Sequence, residues 1–156
     1  MDEIQAMSAP QVLEELRACY GAFVEKLEKS RASTIGEVMG SFFHSQGNPR
    51  IAYAVEEFDV IVTGRVAALA GLLAECTAQE AGELAAQALE QMLFYPLSKD
   101  NTIDFSLAAF EGHAFPLLSY LPPELRQEMA GRYARRTPPR RMLPNQKKVW
   151  KELMRR

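Results

Sequence analysis

A chain of 156 residues, of which 47% are hydrophobic and 24% are charged, has the composition of one folded globular domain. These proportions exclude a disordered chain and a fibrous repeat. The formal net charge is only −2, but the charged residues are unevenly distributed. Residues 126–156 contain eleven Lys and Arg residues and two acids, whereas residues 1–125 contain seven Lys and Arg residues and eighteen acids. This asymmetry indicates a binding role for the basic end of the chain.

The first predicted helix begins near Ser8, because Ser8 and Gln11 have the spacing of a capping box. Apolar residues then recur at every third or fourth position over about twenty residues, which predicts a helix with one buried stripe. Thr34 and Glu37 repeat the capping signature and predict a second, shorter helix. Gly47 interrupts that second helix.

The third predicted helix is the longest and is expected to lie at the centre of the fold. Asn48 and Pro49 form a cap and a first helical position, and helical periodicity then continues for about 26 residues to Cys76. Residues 60–62 have β-propensity and could form a strand. The helix is preferred because these residues lie inside a longer pattern with a period of 3.6.

The fourth predicted helix begins at Thr77, where Glu80 completes another capping box, and it ends near Pro96. One or two brief helices are expected before Pro122, and a further helix starts at Pro123. We therefore expect a single all-α domain of six to eight helices with a bundle-like arrangement. The first, third and fourth helices are its predicted main layers.

The C-terminal end of the chain is both basic and interrupted by proline. Residues 137–144 contain three prolines and two arginines, a composition that favours an extended linker. After this linker, residues 145–155 predict a short amphipathic helix with Trp150 on its apolar side and cations on the opposite side. The sequence thus divides into an acidic helical domain, residues 1–136, and a basic C-terminal arm, residues 137–156.

The basic residues around this arm are the predicted binding site. We expect a non-catalytic adaptor or accessory subunit that docks on an acidic protein or on a second copy of itself. The expected contact residues are Arg132, Arg135, Arg136, Arg140, Arg141, Lys147, Lys148, Trp150, Lys151 and Arg155. Two alternatives stay open. Cations interleaved with Tyr133 and Trp150 also suit the phosphates and exposed bases of DNA or RNA, and the arm could instead lie across the acidic body of its own chain.

Familiar catalytic and cofactor motifs are absent from the sequence. It contains no zinc-binding spacing, no phosphate-binding glycine loop and no nucleophile elbow, so no metal, cofactor or catalytic residue is predicted. An enzyme would need a polar pocket formed by dispersed residues such as Glu57, His113 and Tyr120. Cys19 and Cys76 lie on apolar helix stripes and are expected to be buried thiols rather than a disulfide.

The amino-terminal residues MDEIQAMSAPQ are acidic and lack the apolar region of a secretory signal. The longest apolar stretch, residues 60–74, is shorter than the roughly twenty residues that span a bilayer. We therefore expect a cytoplasmic protein without a membrane span. Binding of the amphipathic arm to a lipid surface is the least favoured of its interactions, because one short helix is a modest anchor.

Overall fold

The computed structural model describes residues 8–29, 49–95 and 107–155. Every regular element in these ranges is helical, which confirms the predicted all-α fold. The elements in chain order are α1 (Ala9–Lys29), α2 (Pro49–Leu73), α3 (Ala78–Leu93), a first 3₁₀ helix (Glu111–Ala114), α4 (Phe115–Leu118), α5 (Pro123–Arg136), a second 3₁₀ helix (Pro139–Arg141) and α6 (Pro144–Met154). The predicted helix that begins at Thr34 lies outside the described residues.

Two of the predicted capping signals make the expected hydrogen bonds. The backbone N–H of Ser8 donates to Gln11 Oε1 at 2.8 Å, and the N–H of Gln11 donates to Ser8 Oγ at 3.4 Å. At the start of α3, the N–H of Glu80 donates to Thr77 Oγ1 at 3.2 Å. These bonds satisfy N–H groups that have no partner within the first helical turn. The predicted starts of α1 and α3 are therefore confirmed.

The short apolar run in the middle of α2 is helical and not a strand. Val62 is fully buried, whereas Val60, two positions earlier, is 70% exposed. In a strand these two side chains would point to the same face, but in a helix they are separated by about 200°. Burial along this run therefore follows the helical period, as predicted from the length of the pattern.

An aromatic cluster joins α1 and α2 to the first 3₁₀ helix. Phe58 of α2 stacks on Phe23 of α1 with a centroid distance of 4.3 Å, and it meets Tyr20 edge to face at 4.9 Å. Phe110 meets both stacked rings edge to face, at 4.9 Å from Phe58 and 5.8 Å from Phe23. Such pairs contribute about 0.5–1.5 kcal/mol each beyond the area they bury. Because Phe110 immediately precedes Glu111, this cluster fixes the position of the first 3₁₀ helix.

The basic C-terminal arm packs on the acidic helical domain as part of the same hydrophobic core. Val149 and Leu153 of α6 are fully buried, and Met142, in the middle of the predicted linker, is also buried. Within the predicted extended linker, residues 139–141 form one turn of 3₁₀ helix, whereas Thr137, Met142 and Leu143 have extended backbone. Pro139 and Pro144 occupy the first positions of helices. Proline is tolerated there because its missing N–H would have no helical partner in the first turn.

Candidate interaction surface of the C-terminal arm

A buried carboxyl group joins the arm to the rest of the protein. Glu111 is only 2% exposed. The Tyr95 hydroxyl donates to Glu111 Oε2 at 2.6 Å, and the Tyr133 hydroxyl donates to Oε1 at 2.6 Å. Gln146 Nε2 adds a third bond to Oε1 at 3.2 Å. Because these donors come from the end of α3, from α5 and from α6, one side chain ties three elements together.

The environment of Glu111 is strongly desolvated. Burial raises the pKa of Glu111 above its ordinary value, while the hydrogen bonds from Tyr133, Tyr95 and Gln146 and the nearby Arg136 oppose that shift. Burial, followed by the proximity of Glu111, also raises the pKa of both tyrosine hydroxyls. Both tyrosines therefore remain protonated and can donate to Glu111 at neutral pH.

Two neighbouring side chains hold the start of α6 in place beside this network. Gln146 Oε1 accepts the backbone N–H of Leu143 at 2.9 Å, which orients its amide so that Nε2 faces Glu111. Asn145 Nδ2 donates to the carbonyl oxygens of Ala108 and Ala109 at 3.0 and 3.3 Å. The first turn of α6 is thus bonded to residues 107–111 through side chains that reach backbone carbonyls and a carboxyl group.

We expect Tyr133→Phe to lower the free energy of unfolding by about 1–3 kcal/mol, because a buried carboxyl oxygen loses a hydrogen-bond donor while the ring remains. Denaturant titration measures the change. Tyr120→Phe is the matched control, since the Tyr120 hydroxyl donates to the neutral carbonyl of Ala70 at 3.2 Å. This control should cost about 0.5–1.5 kcal/mol. Equal losses in the two variants would contradict the role assigned to the buried acceptor Glu111, because the Tyr120 bond is only partly buried.

Two of the predicted binding residues on α5 are held within the chain. The guanidinium of Arg132 donates to both carboxylate oxygens of Glu90, at 2.5 and 3.0 Å, and lies 4.1 Å from the centroid of the Phe94 ring. Arg136 lies over the Tyr95 ring at 4.5 Å and donates to the Tyr95 carbonyl at 2.6 Å. Both arginines therefore pin α5 to the end of α3.

Two cations of α6 also have partners in the same chain. Lys148 Nζ lies 5.0 Å from the centroid of the Phe115 ring of α4. Arg155 pairs with Glu152, three residues earlier, at 3.1 Å. The remaining five predicted cations are exposed and form no ion pair within the described part of the chain. They are Arg135, Arg140, Arg141, Lys147 and Lys151.

A surface groove of about 380 Å³ separates α5 from α6. Its lining residues are Gln127, Ala130, Gly131, Ala134, Trp150 and Met154. Trp150 is half-buried and packs against the core, whereas Met154 is 43% exposed. The α5 side of the groove therefore carries three small residues and Gln127, and the α6 side carries two large apolar side chains.

Cations border this groove on both helices. On α5, the guanidinium of Arg135 reaches over Gly131, since a Cβ atom at Gly131 would lie 3.3 Å from Arg135 Nη1. On α6, Lys147 and Lys151 each precede a groove residue by three positions, which places them on the neighbouring row of the helix surface. The arrangement combines an apolar floor with cations on both helices, and the α5 edge also carries the exposed acids Glu124 and Glu128.

The residues considered for an enzyme have separate partners. Glu57 pairs with Lys26 at 2.5 Å, and His113 Nε2 lies 2.5 Å from Asp59 Oδ1. Tyr120 instead bonds to a backbone carbonyl of α2. The cavity beside Glu57 measures about 30 Å³ and is lined by residues of α1 and α2 alone. Among the described residues, no group of three or more His, Cys, Asp or Glu side chains could hold a metal ion.

Both cysteines are free thiols, as predicted, but they are half-buried and not fully buried. Cys19 Sγ donates to the Leu16 carbonyl at 3.1 Å, and Cys76 Sγ donates to the Leu72 carbonyl at 3.4 Å. Burial raises the pKa of the Cys19 thiol to about 11. This thiol is therefore protonated at neutral pH, and the nucleophilic thiolate form is rare.

No family model matches the sequence, and no curated protein or solved structure matches it at a significant level. Among the helices in the described ranges, none is both long enough and apolar enough to cross a membrane. The function must therefore be argued from the geometry of this surface.

Proposed function

We propose that the protein is a non-catalytic interaction module, an adaptor or accessory subunit, that docks through its C-terminal arm on an acidic protein surface. The observation that carries this proposal is the set of five exposed cations on and beside the arm that are outside the ion pairs of the described residues. Arg135, Lys147 and Lys151 lie on helices whose other faces are buried, and Arg140 and Arg141 lie on the 3₁₀ helix between those two helices. A surface presented by ordered elements loses little conformational freedom on binding, which favours association.

The clustering of these cations is itself unfavourable in the isolated chain. Lys147 and Lys151 lie one turn apart on α6, and Arg140 and Arg141 are adjacent on the second 3₁₀ helix. Like charges at such spacing repel each other, and an acidic partner would relieve the repulsion. At exposed positions the contribution of each pair is small, about 0.2–1 kcal/mol, so we expect the charges to govern association rate and partner choice.

Nucleic acid is less well supported as the ligand because the aromatic side chains are not free. Stacking on bases requires an exposed ring face. Tyr133 is only 1% exposed, and its hydroxyl is bonded to Glu111. Trp150 is half-buried in the groove between α5 and α6. Phosphate binding by the exposed cations remains the alternative that the experiment must separate.

The test is copurification from the native host after nuclease treatment, with three versions of the full chain as bait. Arg140→Glu with Arg141→Glu reverses two exposed charges of the arm. Arg17→Glu with Lys26→Glu makes the same change in net charge on α1 and serves as the matched control. We expect wild type and control to retain an acidic protein, and the arm variant to retain about tenfold less, a loss near 1.4 kcal/mol.

Two further measurements decide the outcome. The retained protein is purified and its affinity for each version of the chain is measured. Wild type and control must again bind it more tightly than the arm variant does. A DNA duplex is then titrated at several salt concentrations. Two results together would overturn the protein partner in favour of nucleic acid. The first is that the copurified protein is lost when nuclease is added. The second is that the chain binds the duplex and that a plot of log affinity against log salt has a slope of about −0.9 for each neutralised phosphate.

A further inference from the structure

One edge of α5 carries charge that changes sign along its length. Glu124, Glu128, Gly131 and Arg135 follow each other at spacings of four, three and four residues, so they form one row on the helix surface. Both acids are exposed, and the Arg135 guanidinium lies beside Gly131. This row borders the groove between α5 and α6, because Gly131 is also a groove residue.

Two copies of such a row have complementary charges when the two helices run antiparallel. Glu128 lies three residues before Gly131, and Arg135 lies four residues after it. With a rise of 1.5 Å per residue, these side chains stand about 4.5 and 6 Å from Gly131 along the helix axis. A two-fold axis close to Gly131 would therefore place Glu128 of each copy beside Arg135 of the other.

The shape of the groove agrees with its charge. Ala130, Gly131 and Ala134 leave a shallow floor on α5 that allows another helix to approach closely. Met154, at the other wall, exposes 43% of its surface. In a symmetric pair, the projecting apolar side chains of one copy would pack over the small residues of the other.

We propose that a second copy of this chain occupies the groove, forming a symmetric dimer in which the two α5 helices run antiparallel. This inference goes beyond the proposed function because it assigns Arg135 and the groove to self-association and leaves the other four exposed cations, Arg140 and Arg141 among them, for the acidic partner. The dimer presents two C-terminal arms. A partner with two acidic sites would then bind with a higher apparent affinity than a single arm provides.

Charge exchange tests the pairing of Glu128 with Arg135. Glu128→Arg alone and Arg135→Glu alone each put like charges together at both contacts of the dimer. Combining the two changes in one chain restores opposite charges, and so does mixing the two single variants in equal amounts. All positions are exposed, so circular dichroism should show the same helix content in every version.

The molar mass is measured by light scattering after size exclusion and by sedimentation over a range of concentrations. Wild type should give twice the 17.5 kDa of one chain. Each single variant should give the monomer mass or a dissociation constant at least about tenfold weaker, which is about 1.4 kcal/mol. The double variant and the mixture should return to the dimer mass.

Two controls exclude other causes. Glu83→Arg makes the same charge change as Glu128→Arg at an exposed site of α3 and should leave the dimer intact. Glu128 also lies one turn before Arg132, which Glu90 holds, so Glu128→Arg adds repulsion within one chain. The double variant keeps that repulsion, and recovery of its dimer therefore isolates the contact between copies.

A monomeric wild type would overturn the dimer, as would single variants that dimerise like wild type or a double variant that stays monomeric. The proposed function fails by a different result. If the chain is a monomer but still retains the acidic protein, only the dimer proposal is refuted and the proposed function stands. If the chain is a dimer but charge reversal at Arg140 and Arg141 does not weaken binding of the partner, only the proposed function is refuted.

Discussion

The Glu111→Ala chain is expected to unfold with a free energy about 3–5 kcal/mol below that of wild type, as measured by denaturant titration. The substitution leaves the hydroxyls of Tyr95 and Tyr133 and the Gln146 amide buried without their acceptor. Each unsatisfied buried donor costs about 1–3 kcal/mol, and the lost side-chain volume adds a cavity. Loss of a single exposed carboxylate, as in Glu75→Ala, should change stability by less than about 0.5 kcal/mol.

Further variants distinguish the effect of losing the hydrogen bonds from the effect of losing side-chain volume. Glu111→Gln keeps the side-chain volume and an acceptor oxygen, so it should lose less stability than Glu111→Ala. Removing the whole network, by Glu111→Met with Tyr95→Phe and Tyr133→Phe, should also be milder than Glu111→Ala, because the side-chain volume is kept and only the Gln146 amide loses its acceptor. A Glu111→Ala loss below about 1 kcal/mol would contradict the role assigned to the three hydrogen bonds.

The long helices could be predicted from the sequence because their signal is local. The buried residues of α2 recur at intervals of three and four, and the same residues form its core face in the structure. They are Ala54, Val55, Phe58, Val62, Val66, Leu69 and Leu73. Capping boxes at Ser8 and Thr77 are equally local, since each depends on side chains within one turn.

The proline-rich connection shows where composition misleads. Residues 137–144 predicted an extended linker because proline disfavours helix interiors. The structure uses Pro139 and Pro144 as starting residues of helices and buries Met142 between them. The same prolines are compatible with both outcomes, and only the packing of Val149 and Leu153 against the core decides between them.

The network around Glu111 could not be predicted from spacing. Tyr95, Glu111, Tyr133 and Gln146 come from four separate parts of the chain, and no period relates them. The sequence did contain one signal, a single acid within the mainly apolar residues 107–118. Because an unpaired buried carboxylate is very costly, an acid in such a stretch must either reach solvent or find donors.

Counting basic residues likewise identified the charged region without showing which charges are free. Arg132 looks equivalent to Arg135 in the sequence, but Glu90, 42 residues earlier, accepts both hydrogen bonds of Arg132. Arg135 instead lies exposed beside Gly131. Ion pairing between distant segments depends on the fold, so the set of exposed cations could be assigned only from the structure.

A chain that ends at Thr137 is expected to lose its cooperative fold, and this is the largest effect we predict. The deletion removes Val149 and Leu153 from the core and breaks the bond between Gln146 and Glu111. Truncating one buried aliphatic side chain costs about 2–5 kcal/mol. The combined loss of Val149, Leu153 and the Gln146–Glu111 bond therefore approaches the free energy of unfolding of a typical domain, which is about 5–15 kcal/mol.

Thermal and denaturant unfolding of the shortened chain, followed by circular dichroism, should show a broad transition or none. A sharp transition near the wild-type midpoint would show instead that the acidic helical domain folds without the arm. If the fold is lost, deletion of the arm cannot be used to test binding, because any partner would be lost with the structure. The exposed pair Arg140 and Arg141 is then the appropriate site for such a test, since charge reversal there leaves Val149 and Leu153 in the core.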